Sequence, residues 1–430
     1  MHENVTTTFY PSYETREAAF RETVCSLIPR KHLGPRLFWE DFSSLSFDAV
    51  YSRSGYNHGF ITSNPRDCLV FGTPRQVINA SGMLAHAVLK RRPAAVESVL
   101  QKFGLQRQAD QPVRTLSGGE TVKLAIAKCQ VEKGVHDRLC IASPYSWLSP
   151  ANRPLFDLLF AAYGKNNIPV DLMGLDGEND DTPFEPAAFF DEGTHPLPFS
   201  LCLRNVRAIL HTSVNPLMPE QTVVALDDYV GDLLSPALLT GENGHGKSLF
   251  AKVLSGALPY HGKAVLKRGA YSGRARLLFQ DIVNQTLLRS FASLAISSAK
   301  EAVLSPQALY EDIHSFLRKE IPVECTPQEQ KSNDAFPIPR MIDIKSMLAS
   351  VRLATLPAAL ILDEPDWGLS KADTLHLLSA IVRTAHAIGV PVTIISHKSW
   401  WEKIAASILF IEKSDPAATD GFGLHLKRIR

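Results

Sequence analysis

Gly241-Glu242-Asn243-Gly244-His245-Gly246-Lys247-Ser248 fits the pattern G-x-x-x-x-G-K-[ST], and its reading decides the fold. Its glycines let the backbone wrap around an anionic group with successive N–H donors pointing inward, and a helix starting at Lys247 adds the positive end of its dipole. Lys247 is then placed to reach the β- and γ-phosphates of a nucleotide, and the Ser248 hydroxyl to ligate Mg²⁺. Ser235–Thr240 (SPALLT) reads as a short apolar strand before the turn, and Ser248–Leu258 has the apolar spacing of a helix after it.

Further on, Ala358–Leu362 (AALIL) and Val390–Ser396 (VPVTIIS) are continuous apolar runs of the kind buried in a parallel sheet. Lys371–Ile388 reads as the crossover helix between them, which makes the second half of the chain α/β. The first run ends in Asp363-Glu364-Pro365. Asp363 would hold Mg²⁺ through water, and Glu364, one residue later, would act as general base on an attacking water. Gln280 (in LLFQD) and His397 (in TIISHK) stand at strand ends, where an amide can sense the metal and γ-phosphate and an imidazole can hydrogen-bond the γ-phosphate. The stretch from about Ser290 to Leu356 is helical in pattern and reads as an inserted helical subdomain.

The order and spacing of these elements resemble the ATP-binding cassette (ABC) ATPases, whose Walker A, Q-loop, Walker B and H-loop match Gly241–Ser248, Gln280, Leu360–Glu364 and His397. The family's LSGGQ-type signature is missing from this half, because its place falls near Pro337–Ile342 (PIPRMI). Leu116-Ser117-Gly118-Gly119-Glu120 stands in the first half instead, before TVKLAIAKCQ, which reads as the start of an amphipathic helix. Ser117 and the amides of Gly118 and Gly119 at a helix N-terminus form an anion cradle; Ser117 also suits a plain N-cap.

The first half is similar to an ABC domain that has lost its catalytic groups. Gly59–Ile78 (GFITSNPRDCLVFGTPRQVI) is similar to the Q-loop region of the family, in the manner of energy-coupling-factor importers, with Ser63 at the glutamine position. LCIASPYSWLS at Leu139–Ser149 parallels LILDEPDWGLS at Leu360–Ser370, so Ala142 and Ser143 replace the aspartate and the glutamate. PVDLMGLD from Pro169 parallels PVTIISHK from Pro391 and puts Leu175 where His397 stands. No phosphate-binding loop occurs before residue 60, and the first 60 residues match the family poorly. Neither half keeps the family's aspartate after Walker B, since Ser149 and Ser370 stand there.

The resemblance implies two P-loop NTPase-like ABC domains in tandem, each with a helical subdomain and the first degenerate. The boundaries read as 1–175 for the domain carrying the signature, 176–200 for an acidic linker rich in Pro and Gly, and 201–430 for the domain carrying Walker A. In the family two cassettes pair head to tail, which here implies one complete site, Gly241–Ser248 with Leu116–Glu120, taking ATP and Mg²⁺. The resemblance implies either the energising subunit of a membrane importer, with a transmembrane partner on the helical subdomains, or a soluble mechanoenzyme acting on nucleic acid, ribosomes or a protein complex. A slow ATP-dependent regulator is a third class.

Composition favours no partner. A net charge of +1 with 45% hydrophobic and 21% charged residues is ordinary for a globular protein and offers no electrostatic case for nucleic acid. No run of about 20 apolar residues occurs, so the expectation is a cytoplasmic protein whose membrane contact, at the inner face, is made through another subunit. The six cysteines (Cys25, Cys68, Cys129, Cys140, Cys202, Cys325) are scattered and read as buried small hydrophobes rather than zinc ligands or disulfides.

Overall fold

The structure, a computed structural model, describes residues 4–27, 59–69, 72–90, 92, 95–143, 152–177, 195–211, 221–242, 244–279, 301–320, 341–414 and 421–430. Asn243, Gln280, Cys325, Ser149 and residues 337–340 of the PIPRMI stretch lie outside them. The described residues form two compact units, 4–177 and 195–430.

The first unit runs β1 (Val5–Tyr10), α1 (Tyr13–Leu27), β2 (Phe60–Ile61), α2 (Pro74–Leu89), α3 (Val96–Lys102), α4 (Gly118–Glu132), β3 (Leu139–Ala142), α5 (Pro154–Gly164) and β4 (Val170–Leu175). Its four strands are all parallel, in the order β1-β4-β3-β2. β3 is buried along its whole length, as expected of a parallel strand covered on both faces. Helices α2 to α4 form the helical subdomain. α2 starts at a capping box in which Thr73 and Gln76 satisfy each other's backbone N–H, with Pro74 in the first turn. α4 differs from the amphipathic expectation: it is buried on most sides, because α2, α5, β2 and the 3₁₀ turn Pro65–Cys68 all pack on it. Burial inside this helix is tolerated for Lys128 because Glu132, one turn on, pairs with it at 3.1 Å and accepts from Ser81 Oγ at 2.7 Å.

The second unit runs β5 (Leu197–His211), β6 (Gln221–Leu226), β7 (Tyr229–Ser235), β8 (Ala237–Thr240), α6 (Lys247–Ser255), β9 (Tyr260–Arg268), β10 (Tyr271–Gly273), β11 (Ala275–Leu278), α7 (Pro306–Glu320), α8 (Met341–Leu353), β12 (Ala359–Asp363), α9 (Lys371–Ala387), β13 (Val392–Ile395), β14 (Ser407–Ser414) and β15 (Gly421–Arg428). The parallel core β11-β12-β13-β8-β14 continues through β15, β6, β5 and β9 into a region that is antiparallel except for the parallel pair β15–β6. Helices α7 and α8 lie within the stretch read as a helical subdomain, and α8 begins in the last residues of PIPRMI.

Two expectations need correction. The linker reading of 176–200 runs too far, because β5 already begins at Leu197. The prolines hid a period of two in which Phe199, Leu201 and Leu203 are buried and Ser200 and Cys202 are not. Pro198 is tolerated because β5 has only β7 as a neighbour there; its pairing with β9 starts at Ser200. Cys202 stands on the other face of this alternation and is half-buried, unlike the buried Cys68, Cys129 and Cys140.

Candidate nucleotide-binding site

The site is built where β8, β12 and β13 end side by side. β8 leads into the turn at Gly241, whose φ of 153° keeps the chain against β14. A Cβ there would run into the Ile411 carbonyl oxygen. At Gly246 φ is 85°, and a Cβ would lie 2.7 Å from Leu424 Cδ2, so both glycines are required by close approach as well as by conformation. α6 starts immediately after, at Lys247, and ends at Gly256 in the left-handed conformation.

Lys247 is buried, and its Nζ donates to the Gly241 and Glu242 carbonyls at 2.8 and 3.1 Å. Burial lowers its pKa, opposed by the charges of Glu364, Asp363 and Glu242. The ammonium is thus folded back over the turn whose amides would face a phosphate. Asp363 is also buried. Burial and the neighbouring Glu364 charge push its carboxyl up to about 7, against the lowering effects of a hydrogen bond from Ser248 and of Lys247. Its Oδ1 has no hydrogen-bond partner among the described residues. A hydroxyl and an orphaned carboxylate oxygen side by side are the hard oxygen donors that Mg²⁺ takes, so Ser248 and Asp363 fit the ion.

Glu364 occupies a left-handed backbone conformation, φ 44°, and its amide donates to the Ile395 carbonyl at 2.9 Å. Its Oε1 lies 2.9 Å from His397 Nδ1 and its Oε2 accepts from Ser396 Oγ at 3.1 Å. His397 Nε2 is buried without a partner among the described residues. One face of the imidazole is fixed by the carboxylate, and the other nitrogen is left for a further group.

Three buried residues around this turn escaped the sequence reading. Lys398 pairs with Asp366 at 3.0 Å and lies 4.2 Å from the Trp400 ring centre. Burial raises the Asp366 pKa, but Lys398 and His397 outweigh it and hold the carboxyl below its ordinary range. Lys345, on α8, donates to the Pro365 and Trp367 carbonyls. A lysine beside a strand-end histidine carries no local sequence signal, because the partner, Asp366, is 32 residues away in the chain.

The structure brings together Gly241, Glu242, Gly244, His245, Gly246, Lys247, Ser248, Asp363, Glu364 and His397 in the second unit. Ser117, Gly118, Gly119 and Glu120 stand in the first. There Ser117 is the N-cap of α4: its amide and hydroxyl both donate to Glu120 Oε2 at 2.8 Å.

The strand registers of the first unit reproduce those of the second. Leu139–Ala142 pair with Val170–Met173 as Leu360–Asp363 pair with Val392–Ile395. The Ser143 amide donates to Met173 O at 2.9 Å as that of Glu364 does to Ile395 O, and Ser143 has φ 47°. Ile61 pairs with Ile141 as Leu278 pairs with Leu362, which puts Ser63 at the position numbered Gln280 in the second unit. β1 lies beside β4 as β8 lies beside β13, so the opening residues, which match poorly in sequence, supply the strand and helix of the missing loop. Thr8 and Leu239 are equivalent by register, and the eighth residue after each is Arg16 and Lys247. The helix after β1 starts at Tyr13, leaving two residues where the second unit has six.

Comparison with known proteins agrees with this geometry. The chain is 29% identical over 199 residues to the xylose import ATP-binding protein XylG of Thermoanaerobacter pseudethanolicus, covering 42% of this chain and 38% of that protein. The chain is thus similar to the ABC ATPases. The fold is similar to that of a solved structure of RNase-L inhibitor, which matches 99% of this chain and 86% of that one with TM-score 0.50 and 13% identity. A chain in a model of ribosome-bound archaeal Pelota and ABCE1 matches 99% of this chain and 75% of its own length, with TM-score 0.55 and 12% identity. Both likenesses concern the fold. No protein-family model matches the chain. The match spans 38% of the length of that curated relative, and no helix among the described residues is long and apolar enough to cross a membrane.

Proposed function

We propose that the second cassette binds MgATP at Gly241–Ser248 and hydrolyses it, and that Leu116–Glu120 of the first cassette closes over the γ-phosphate to complete the site. The observation that carries this reading is the Glu364–His397 contact of 2.9 Å beside the Lys247–Ser248–Asp363 cluster. Mg²⁺, held by Ser248 and Asp363 with Gln280 as the third expected contact, would neutralise phosphate charge. The turn amides and Lys247 bind and orient the phosphates, Glu364 accepts a proton from the attacking water through its carboxylate, and His397 Nε2 hydrogen-bonds the γ-phosphate. His397 Nδ1 meanwhile holds Glu364 in place. Asn243, which lies outside the described residues, and Glu120 are the remaining expected contacts of the two segments. Binding closes the two cassettes and hydrolysis releases them, so the chemistry drives a conformational cycle.

The cycle energises a membrane importer through a transmembrane partner on the helical subdomains; the similarity to an import ATP-binding protein over 42% of the chain supports this. The tandem arrangement shared over the whole length with RNase-L inhibitor supports the second reading, a soluble machine acting on a ribosome or another complex. Glu364→Gln tests the chemistry: turnover should fall about 10²–10⁴-fold with MgATP binding retained. An unchanged rate would remove Glu364 from the mechanism. The protein that co-purifies with this variant in ATP, membrane subunit or ribosomal component, decides between the two settings.

A further inference from the structure

The place in the first cassette that corresponds to the nucleotide site is filled by its own side chains. Arg16 is fully buried, its guanidinium donating to Ser143 Oγ and pairing with Glu17 Oε2 at 3.1 Å. Glu17 Oε2 also accepts from Ser63 Oγ at 3.3 Å. By register Ser143 and Ser63 stand where Glu364 and Gln280 stand in the second cassette, and Arg16 and Glu17 follow Thr8 by as many residues as Lys247 and Ser248 follow Leu239. Three segments, α1, the loop after β2 and the turn after β3, are thereby tied to one another without a ligand. The Tyr13 ring covers the guanidinium from 4.9 Å. A cation and an anion from adjacent residues balance each other here, and the Walker B carboxylates that a bound metal would require are absent.

We propose that Arg16 and Glu17 form a built-in clamp that replaces nucleotide in the first cassette and positions the signature. The loop that carries Ser63 continues into the 3₁₀ turn Pro65–Cys68, which packs on α4, the helix whose first residues are the signature glycines. Fixing Ser63 to Glu17 therefore fixes the base on which Ser117–Glu120 is held, whatever the state of the second cassette. Arg16 and Glu17 act through Ser63 and α4 and touch no nucleotide; they are positioning residues. The positioning role rests on the reading of Leu116–Glu120 as the segment that closes on the γ-phosphate; the clamp itself does not.

Hydrogen–deuterium exchange on the full chain tests the clamp without nucleotide. Thr62–Cys68 and Ser117–Thr121 should be protected in the unaltered protein and unchanged at Thr62–Cys68 on adding MgATP. In Ser63→Ala, which removes only a neutral hydroxyl, and in the double variant Arg16→Met/Glu17→Leu, which leaves no buried charge unpaired, exchange at Thr62–Cys68 should rise about tenfold, with a smaller rise at Ser117–Thr121. ATP turnover per molecule of bound nucleotide should fall about tenfold with KM within about twofold; mere loss of folded protein would lower turnover and bound nucleotide together and leave that ratio unchanged. Unchanged exchange at both segments in either folded variant overturns the proposal, as does protection at Thr62–Cys68 that appears only with MgATP. An unaltered chain without ATPase activity would instead overturn the preceding functional reading and leave the exchange comparison to decide the clamp.

Discussion

The turns after β12 and β3 have the same backbone and opposite chemistry. Each places a non-glycine residue at φ near 45°, Glu364 and Ser143, and each donates that residue's amide to the neighbouring strand at 2.9 Å. A left-handed non-glycine residue costs about 1–3 kcal/mol. Were that strain needed only to aim a catalytic carboxylate, it would have no reason to persist at Ser143, where no carboxylate remains. The sheet therefore dictates the turn, and function is laid on it by the side chains. In the second cassette those are Asp363, Glu364 and His397, with Asp363 Oδ1 and His397 Nε2 lacking partners among the described residues. In the first they are Ala142, Ser143 and Leu175, closed over by Arg16.

A large effect follows from the position of the phosphate-binding lysine. Lys247→Ala should weaken MgATP binding about 100-fold, equivalent to roughly 2.7 kcal/mol, with the fold intact by circular dichroism. Affinity near that of the unaltered chain, by isothermal titration, would mean that nucleotide is held elsewhere and would erase the contrast between the cassettes.

Ser117→Arg sharpens the contrast from the other side. If the first cassette contributes only its signature, this variant should bind nucleotide normally and turn it over about 10²–10³-fold more slowly, the usual loss for one transition-state contact. Normal turnover would reduce Leu116–Glu120 to the helix cap that its hydrogen bonds also describe.

Stoichiometry gives a twofold effect. Arg16 fills the place corresponding to Lys247, so Glu364→Gln should retain about one ATP per chain after rapid gel filtration. Two per chain would show that the first cassette has a nucleotide site after all.

A last contrast concerns two buried lysines on corresponding helices. Lys128 on α4 is desolvated, but Glu132 outweighs that and its pKa is raised; Lys345 on α8 has only carbonyl acceptors and the more distant Asp366 charge, and burial lowers it to about 7. Between pH 7 and the ordinary lysine value of 10.5, the unfolded chain therefore holds a proton at Lys345 that the folded chain lacks. Stability should rise with pH across that window by on the order of 1 kcal/mol per unit, and the contribution should be at its flat minimum below it. Urea titrations at pH 7, 8 and 9 should show this rise, and Lys345→Met should flatten it. An equal slope in the variant would assign the rise to other groups.

The sequence by itself determined the second cassette, because its chemistry is written in contiguous words. The phosphate turn needs its glycines, lysine and serine within eight positions, and a parallel strand buried on both faces announces itself as an apolar run ending in Asp363-Glu364. Ser63, Ala142 and Ser143 were legible for the same reason, as substitutions inside recognisable strand ends. Only the tertiary structure showed what β1 and α1 are, since no glycine pattern survives there and their place follows from pairing with β4, more than 160 residues on. It also supplied Arg16 with Glu17 opposite Ser143, and Lys398 opposite Asp366. A charge is stable in a core only beside its partner, and chain folding, not sequence proximity, chooses that partner.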